Sequence, residues 1–565
     1  MIVVAVVALM TLPATAQYYS SDRRYGSYDR SRYRHTTSGG DVVRARYNRA
    51  GSLEAEFPPG MFDQVRLLIV DGPLNGDDIK FIRKICTRSK CVDDRGRSVD
   101  NFLDLDLADA QIVGGGSNYY GYRRAEHDAV GRQMFYDLNH LRSVVLPDRI
   151  RYIDDEAFKY CYNLEEVIMP GTVRRIGEDA FYSCHDLYRI YLPNYLEEIE
   201  EGAFDGCEHL KEIDIPDGVR AIGNEAFRNT GLSAVNLPSR LTTLGKCAFE
   251  KTRVRSLFIP AGTKIVDNSL GSMPYLEEIA VERGNEHYTS EDGVLYDDYG
   301  TILLYYPQAK AGAFTVPDGV TTISAGAMSE CSNLTRVVLP ESVTEIGNKA
   351  FYASKKLTAI TMPTTLKALG TEAFSECEAL RTITIPHGLN IIPERAFGEC
   401  KSLETVTIPE GITTLNEKAF YKCDALHSVD LPASLQTIGK EAFRECKSLT
   451  NIDLPAGLTT LAKEAFRKTP LSHIDLPEGL RTIGDNALRE TNLSTLTIPA
   501  SVTDIGKKVT EKCKNLTSIT CLATQPPTLD KVSNDKVPLF VPAGSLELYK
   551  KAKNWKNFKK IEAMP

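Results

Sequence analysis

One tryptophan and nine histidines are all that 565 residues contain of two residue types common in active sites. None of the histidines falls in a Ser/His/Asp, Cys/His or HExxH arrangement. There is no Gly-x-Gly-x-x-Gly and no P-loop, so no nucleotide-binding loop is announced. Positive charge is not in excess: 67 Lys plus Arg against 75 Asp plus Glu leaves a net −8, which excludes the footprint of a nucleic-acid binder. Beyond the first 16 residues no apolar run approaches the ~20 needed to cross a bilayer as a helix, which argues against an integral membrane protein. The thirteen cysteines are odd in number and too sparse for a disulfide framework in a chain of this length. Asp93-Asp94-Arg95-Gly96 lacks the alternating ligands and closing Glu of a calcium loop.

What is present begins with an address. Met1–Ala16 reads as the apolar core of a signal peptide ending in the small-x-small pattern Ala14-Thr15-Ala16, with Gln17 as the mature start. Export to the cell surface or medium is expected, with the periplasm left open. No Cys follows, so no lipid anchor is expected. Residues 17–51 are rich in Tyr, Arg, Ser and Gly and have no aliphatic residue before Val42, so they are expected to form an unstructured tether.

The rest of the chain is one phrase repeated. Prolines recur at 147, 170, 193, 216, 238 and 260, then at 317, 340, 363, 386, 409, 432, 455, 477 and 499, in steps of 22 or 23. Such a period means a solenoid, so the three or four domains that length alone would suggest are the wrong count. Aligned on proline, the phrase is Leu-x-x-Ile-x-Leu-Pro-x-x-Val-x-x-Ile-Gly-x-x-Ala-Phe-x-x-Cys-x-x, as in Leu164–Pro170 and Leu403–Pro409. Apolar positions 1, 4 and 6 predict a short strand that ends at Pro, which has no N–H for a ladder. Ile at position 13 and Phe at position 18 predict the opposite wall of the core, made of short turns or 3₁₀ pieces. Some 18 to 20 coils are expected, each stable only against its neighbours.

These repeats resemble the BspA-like, or Treponema pallidum type, leucine-rich-repeat family, from about residue 52 to the end. The resemblance implies a right-handed parallel solenoid. It divides the chain into an N-terminal cap at 52–140, repeats at 141–280, an island at 281–313, repeats at 314–521 and a C-terminal cap at 522–565. In the first cap Val70–Ile79 resembles a strand turning into a helix, and Phe102–Leu107 the next strand. In the last, Ser545 is expected to N-cap a helix whose Leu546, Leu548 and Tyr549 cover the final coil. Within the island, apolar runs on either side of Asp297-Asp298-Tyr299-Gly300 predict a β-hairpin that projects from the solenoid wall or packs on it.

Candidate chemistry dissolves into structure. Cys161, Cys184, Cys207, Cys331, Cys377, Cys400, Cys423, Cys446 and Cys513 share one repeat position and read as a column of small buried thiols; zinc would need ligands converging on a point. Cys86 and Cys91 leave a disulfide open. What remains is the outward strand face at positions 3 and 5. In the first block position 5 runs Val145, Ile168, Tyr191, Asp214, Asn236, Phe258, with Arg189 at position 3, an apolar stripe of the kind that marks contact sites. In the second block it is rich in Thr, with three stacked carboxylates, Asp430, Asp453 and Asp475. Like charges on neighbouring strands need a compensator: a divalent cation or basic ligand group, or solvent with lysines such as Lys440 and Lys463. Members of the family include exported or surface proteins associated with adhesion. The resemblance therefore implies a non-catalytic module without cofactors that binds host matrix or bacterial surface proteins or glycans. A structural spacer and a polysaccharide- or peptide-active enzyme stand as alternatives.

Overall fold

A computed structural model describes residues 42–88, 91–92, 98–532 and 534–564. Residues 1–41, which hold the expected signal peptide and most of the expected tether, lie outside them. The chain forms a parallel β-solenoid of about 22 turns with repeats of about 23 residues. The front ladder uses positions 3 to 5: Leu103–Asp106 pairs with Leu141–Val145, which pairs in register with Glu166–Ile168. On the far side the expected turns are present at the Ala-Phe segment, but positions 12 and 13 form a second parallel ladder instead. Two-residue strands such as Tyr152–Ile153, Arg175–Ile176 and Glu198–Ile199 pair coil to coil. The position-13 apolar side chain turns inward while its polar neighbour at position 12 faces water, which is the alternation a strand imposes.

Between the two ladders the Ala-Phe segment forms a wall of consecutive turns. In each coil the Phe N–H donates to the Ala carbonyl of the next, as from Phe158 to Ala180 at 2.7 Å and from Phe374 to Ala396 at 2.9 Å. The rings stack from Phe135 to Phe249 and again from Phe351 to Phe466, with centroids 5.0–5.6 Å apart and planes within 14° of parallel. Two residues per coil, mostly non-glycine, take left-handed backbone here: Glu372 (φ 57) and Glu376 (φ 61) are one such pair. The glycine after the position-13 Ile has another cause. A Cβ on Gly245 would sit 2.2 Å from the backbone of Gly223 in the preceding coil.

Residues 42–51 correct one expectation. Val42–Arg46 is not tether but the first strand, parallel to Leu67–Asp71. Its side chains Val43 and Ala45 are buried, and Val42 and Val43 are the first aliphatic residues after Ala16. Helix Gly76–Cys86 follows, capped by Asn75, and the buried Asp78 carboxylate accepts the N–H groups of Gly51, Leu53 and Asn75. At the other end Ser545 does not cap the helix Leu546–Lys551; its hydroxyl donates to the Thr524 carbonyl at 2.8 Å. Tyr549 is buried there and Leu548 is exposed. Trp555 closes the last coil, with its indole N–H on the Pro527 carbonyl.

The island neither projects nor lies on the surface. Val294–Asp297 and Ile302–Tyr305 form an antiparallel hairpin, and the second strand continues the far-wall ladder through Thr322–Ile323. Val294, Tyr296, Leu303 and Tyr306 join the core of the following coils, whereas Leu295, Leu304 and Tyr305 join that of the preceding ones. The hairpin is a partition with a hydrophobic core on each face.

The cysteine column is buried, and each thiol has a definite acceptor. Cys184 Sγ donates to the Phe158 carbonyl at 3.2 Å, Cys377 to Phe351 at 3.1 Å and Cys446 to Phe420 at 3.1 Å. Ser354 fills the same position and donates to Met328 at 2.8 Å. Burial pushes the thiols of Cys161 and Cys400 up to about 12. A thiol held neutral in the folded protein ionises first in the unfolded chain. Its contribution is therefore intact below the ordinary thiol range and is lost as pH climbs towards the folded value. Unfolding free energy in urea should fall between about pH 8.5 and 9.5, by up to ~1.4 kcal/mol per pH unit per buried thiol. Cys400→Ser should flatten that slope. A slope that this substitution leaves unchanged would remove the thiols as its source.

Candidate ligand-binding surfaces

The front ladder places the predicted contact residues unequally. Tyr191 is 64% exposed and Phe258 51% exposed. Ile168 is half-buried, in register with Val145, which is buried and not part of any exposed stripe. Arg189 is exposed, bonded to Glu166 at 3.3 Å and lying over the Tyr188 ring at 5.5 Å; the Glu166 carboxylate holds its guanidinium above the ordinary range. Tyr191 and Phe258 are three coils apart, so at ~4.8 Å per coil they are separated by roughly 14 Å. Exposed Asp214 and Asn236 lie between them. The strand face thus carries two separate exposed rings, not one stripe.

Those intervening residues also break the ladder. Front pairing stops after Arg189–Ile190 and resumes at Ser256–Ile259, lapses between Glu278–Val281 and Gly312–Thr315 and between Ala359–Thr361 and Thr382–Thr384, and stops again after Ser428–Asp430 until Thr495–Ile498. The four coils that form no front strand at all carry Asp214, Asn236, Asp453 and Asp475 at position 5. Asp and Asn fit a pleated surface poorly, whereas Thr fits well. Of the three stacked carboxylates, Asp430 accepts from the Thr407 hydroxyl at 3.1 Å and Asp475 meets His473 at 3.0 Å. Lys440 is not their compensator, since it pairs with Glu417 at 2.7 Å and with Glu441. Among the described residues no group of three His, Cys, Asp or Glu side chains is arranged to hold a metal ion. Cys86 is a buried free thiol, and Cys91 is described in its backbone only.

Two surfaces escaped the repeat alignment because they lie off the strand face. On the turn wall Tyr120, Tyr136, Tyr160, Tyr162 and His185 form a chain of rings with centroids 5.1–5.9 Å apart. Tyr182 branches from Tyr160 at 5.6 Å. Arg83 lies 4.4 Å over Tyr120, and Lys159 4.7 Å over Tyr182. The signal was a tyrosine at positions 19 to 22 of successive repeats, where the alignment showed only variable residues. On the opposite edge a groove of about 670 Å³ is lined by Arg151, Gly171, Thr172, Arg174, Asn194 and Tyr195.

The regular core and its phrase agree with a known family. The family described as BspA type leucine rich repeat region (6 copies) matches residues 128–255, 304–427 and 413–526. The chain belongs to this family. No curated protein matches this BspA-type chain. Among solved structures it is similar to a leucine rich cell surface protein from Faecalibacterium prausnitzii, with 30% identity over 57% of this chain and 85% of that one, TM-score 0.49. A leucine-rich repeat protein from Eubacterium ventriosum matches at 28% identity over 60% and 85%, TM-score 0.49. The T. pallidum leucine rich repeat protein matches at 26% over 42% and 89%, TM-score 0.24. No helix among the described residues is long and apolar enough to cross a membrane.

The carboxylate column of this BspA-type solenoid gives a direct test. Millimolar calcium should leave the melting temperature unchanged, while Asp453→Thr with Asp475→Thr should raise stability by roughly 0.5–1 kcal/mol per site as pairing closes. A calcium-dependent rise that Asp453→Asn abolishes would instead make the column a cation site.

Proposed function

We propose that this chain is a non-catalytic, exported or cell-surface binding module that recognises host matrix or bacterial surface proteins or glycans, with contacts concentrated in its first block. One observation carries the reading. Of twelve large apolar side chains exposed among the described residues, nine are aromatic rings between Tyr120 and Tyr275. The second block, built on the same repeat, contributes little exposed aromatic surface. Tyr188, Tyr191 and Tyr195 all belong to one coil, and each of the outer two has an arginine over its ring, Arg189 at 5.5 Å and Arg174 at 5.6 Å. Aromatic rings with cationic neighbours suit both protein hot spots and stacking on sugar rings. The leader supports export, and the family supports an interaction scaffold.

Purified residues 17–565 should bind saturably to a subset of matrix-protein or glycan arrays. Tyr191→Ala combined with Phe258→Ala should weaken that binding about tenfold or more, and Ile391→Ala in the second block should not. Hydrolysis of an arrayed ligand would favour the enzyme alternative. Silence on both arrays would favour the spacer.

A further inference from the structure

The C-terminal end carries charge of the sign opposite to the rest. Residues 501–565 hold twelve lysines, no arginine and six carboxylates, a net +6, which leaves −14 on the first 500 residues of a chain of net −8. The strands Asp504–Lys507 and Thr528–Lys531 pair in parallel with Lys507 directly opposite Lys531. Both are exposed, and neither has a carboxylate in ion-pair range among the described residues. Like charges facing across a ladder are destabilising. Asn554, in left-handed backbone (φ 64), donates to the Leu529 and Asp530 carbonyls at 2.6 and 3.1 Å. That clamp seats the loop bearing Lys553 and Lys556 beside the strand that ends in Lys531. Lys553 and Lys556 are likewise exposed and without an ion-pair partner.

We infer that this lysine corner of the C-terminal cap docks an acidic polysaccharide. The chemistry separates it from the alternatives. Tyr549, Trp555 and Phe558 are buried in the cap and Phe540 is half-buried, so no described ring of the cap stands fully exposed for base stacking. Lysines are hydrated point charges without the planar fork that reads a phosphate or a guanine edge, so the surface suits a polymer recognised by charge density. The chain's own acidic coil, residues 195–218 with nine carboxylates and one lysine, distributes its charge around the whole turn. Three of those carboxylates are already paired, to Arg174, Arg175 and Arg228. It therefore offers no single face to a second copy. This inference does not rest on the aromatic surface of the first block.

The test uses the full chain with fluorescein-labelled heparin as a sulfated probe and polygalacturonate as a carboxylate probe. Both should bind, with log K falling linearly against log salt. Lys531→Gln with Lys553→Gln and Lys556→Gln should weaken binding at least tenfold, and the triple Lys→Arg variant should retain it. Lys531→Gln alone should raise the melting temperature, because it removes the charge facing Lys507. Binding of only one probe would narrow the ligand to that acid group. The inference is overturned by no binding of either probe at about 50 mM salt, or by binding that the triple Gln variant leaves intact. Duplex DNA binding as tightly as heparin would overturn it as well. So would self-association that the Gln variant abolishes, which would give the lysines to a second copy's acidic coil. Tyr191 and Phe258 are untouched throughout, so failure here leaves the first-block reading standing.

Discussion

The contact between one Ala-Phe turn and the next carries the rest of the architecture. At that point a ring stacks on a ring, an N–H meets a carbonyl one coil along, and a thiol reaches back to the Phe carbonyl of the preceding coil. A buried Phe contributes about 1.5–3 kcal/mol when its surface leaves water, but only if a neighbouring coil supplies the other half of the enclosure. No coil can do this alone, so the array is cooperative only through its neighbours. The two ends must be covered, by the capped helix at one and Trp555 at the other. The island hairpin solves the same problem in mid-array by presenting a hydrophobic face to each side.

Because the stacked positions repeat, they were legible without a structure. Pro at position 7, Ile at 13, Ala-Phe at 17 and 18 and Cys at 21 gave the coil, the core and the family. Legibility ended where the period carried no information. Gly at position 14 could be seen to recur, but only the lack of room for a Cβ, which on Gly245 would fall 2.2 Å from the Gly223 backbone, explains it. The strand at positions 12 and 13 did not show in the sequence because two residues per coil are too few to display alternation, whereas the turns at the Ala-Phe segment did. Ser545 has the residue type of an N-cap, yet its hydroxyl is taken by a carbonyl of the preceding segment. The sites were less legible still. Val145 follows the pattern of an outward residue and is buried, and the tyrosine chain on the turn wall crosses repeats at positions that an alignment treats as variable.

A periodic core leaves individuality to the surface, and the two ends of this molecule use different chemistry there. The first block exposes rings, and the terminal cap exposes unpaired ammonium groups. Neither helps folding: exposed rings leave apolar area in water, and Lys507 opposite Lys531 is repulsive. Positions that break a local rule without a structural gain are where function is expected.

The lapses in the front ladder have a mechanical meaning. At Asp214 and Asn236, and again at Asp453 and Asp475, successive coils lack the front ladder. They are joined by the far-wall strands, the Ala-Phe turns and single bonds such as Ser233 N–H to the Lys211 carbonyl at 3.3 Å and Ser472 N–H to the Thr450 carbonyl at 3.1 Å. These two places lie about ten coils apart, and the far-wall ladder is continuous across each. Between the coil of Ala359–Thr361 and Ala368–Leu369 and the coil of Thr382–Thr384 and Ile391–Ile392, by contrast, both ladders lapse together. That boundary is held by the Ala-Phe turn, the Phe374–Phe397 stack and the core. It lies between the exposed rings of the first block and the lysines of the cap, so a load on either end is taken there by turn and ring contacts instead of strand ladders.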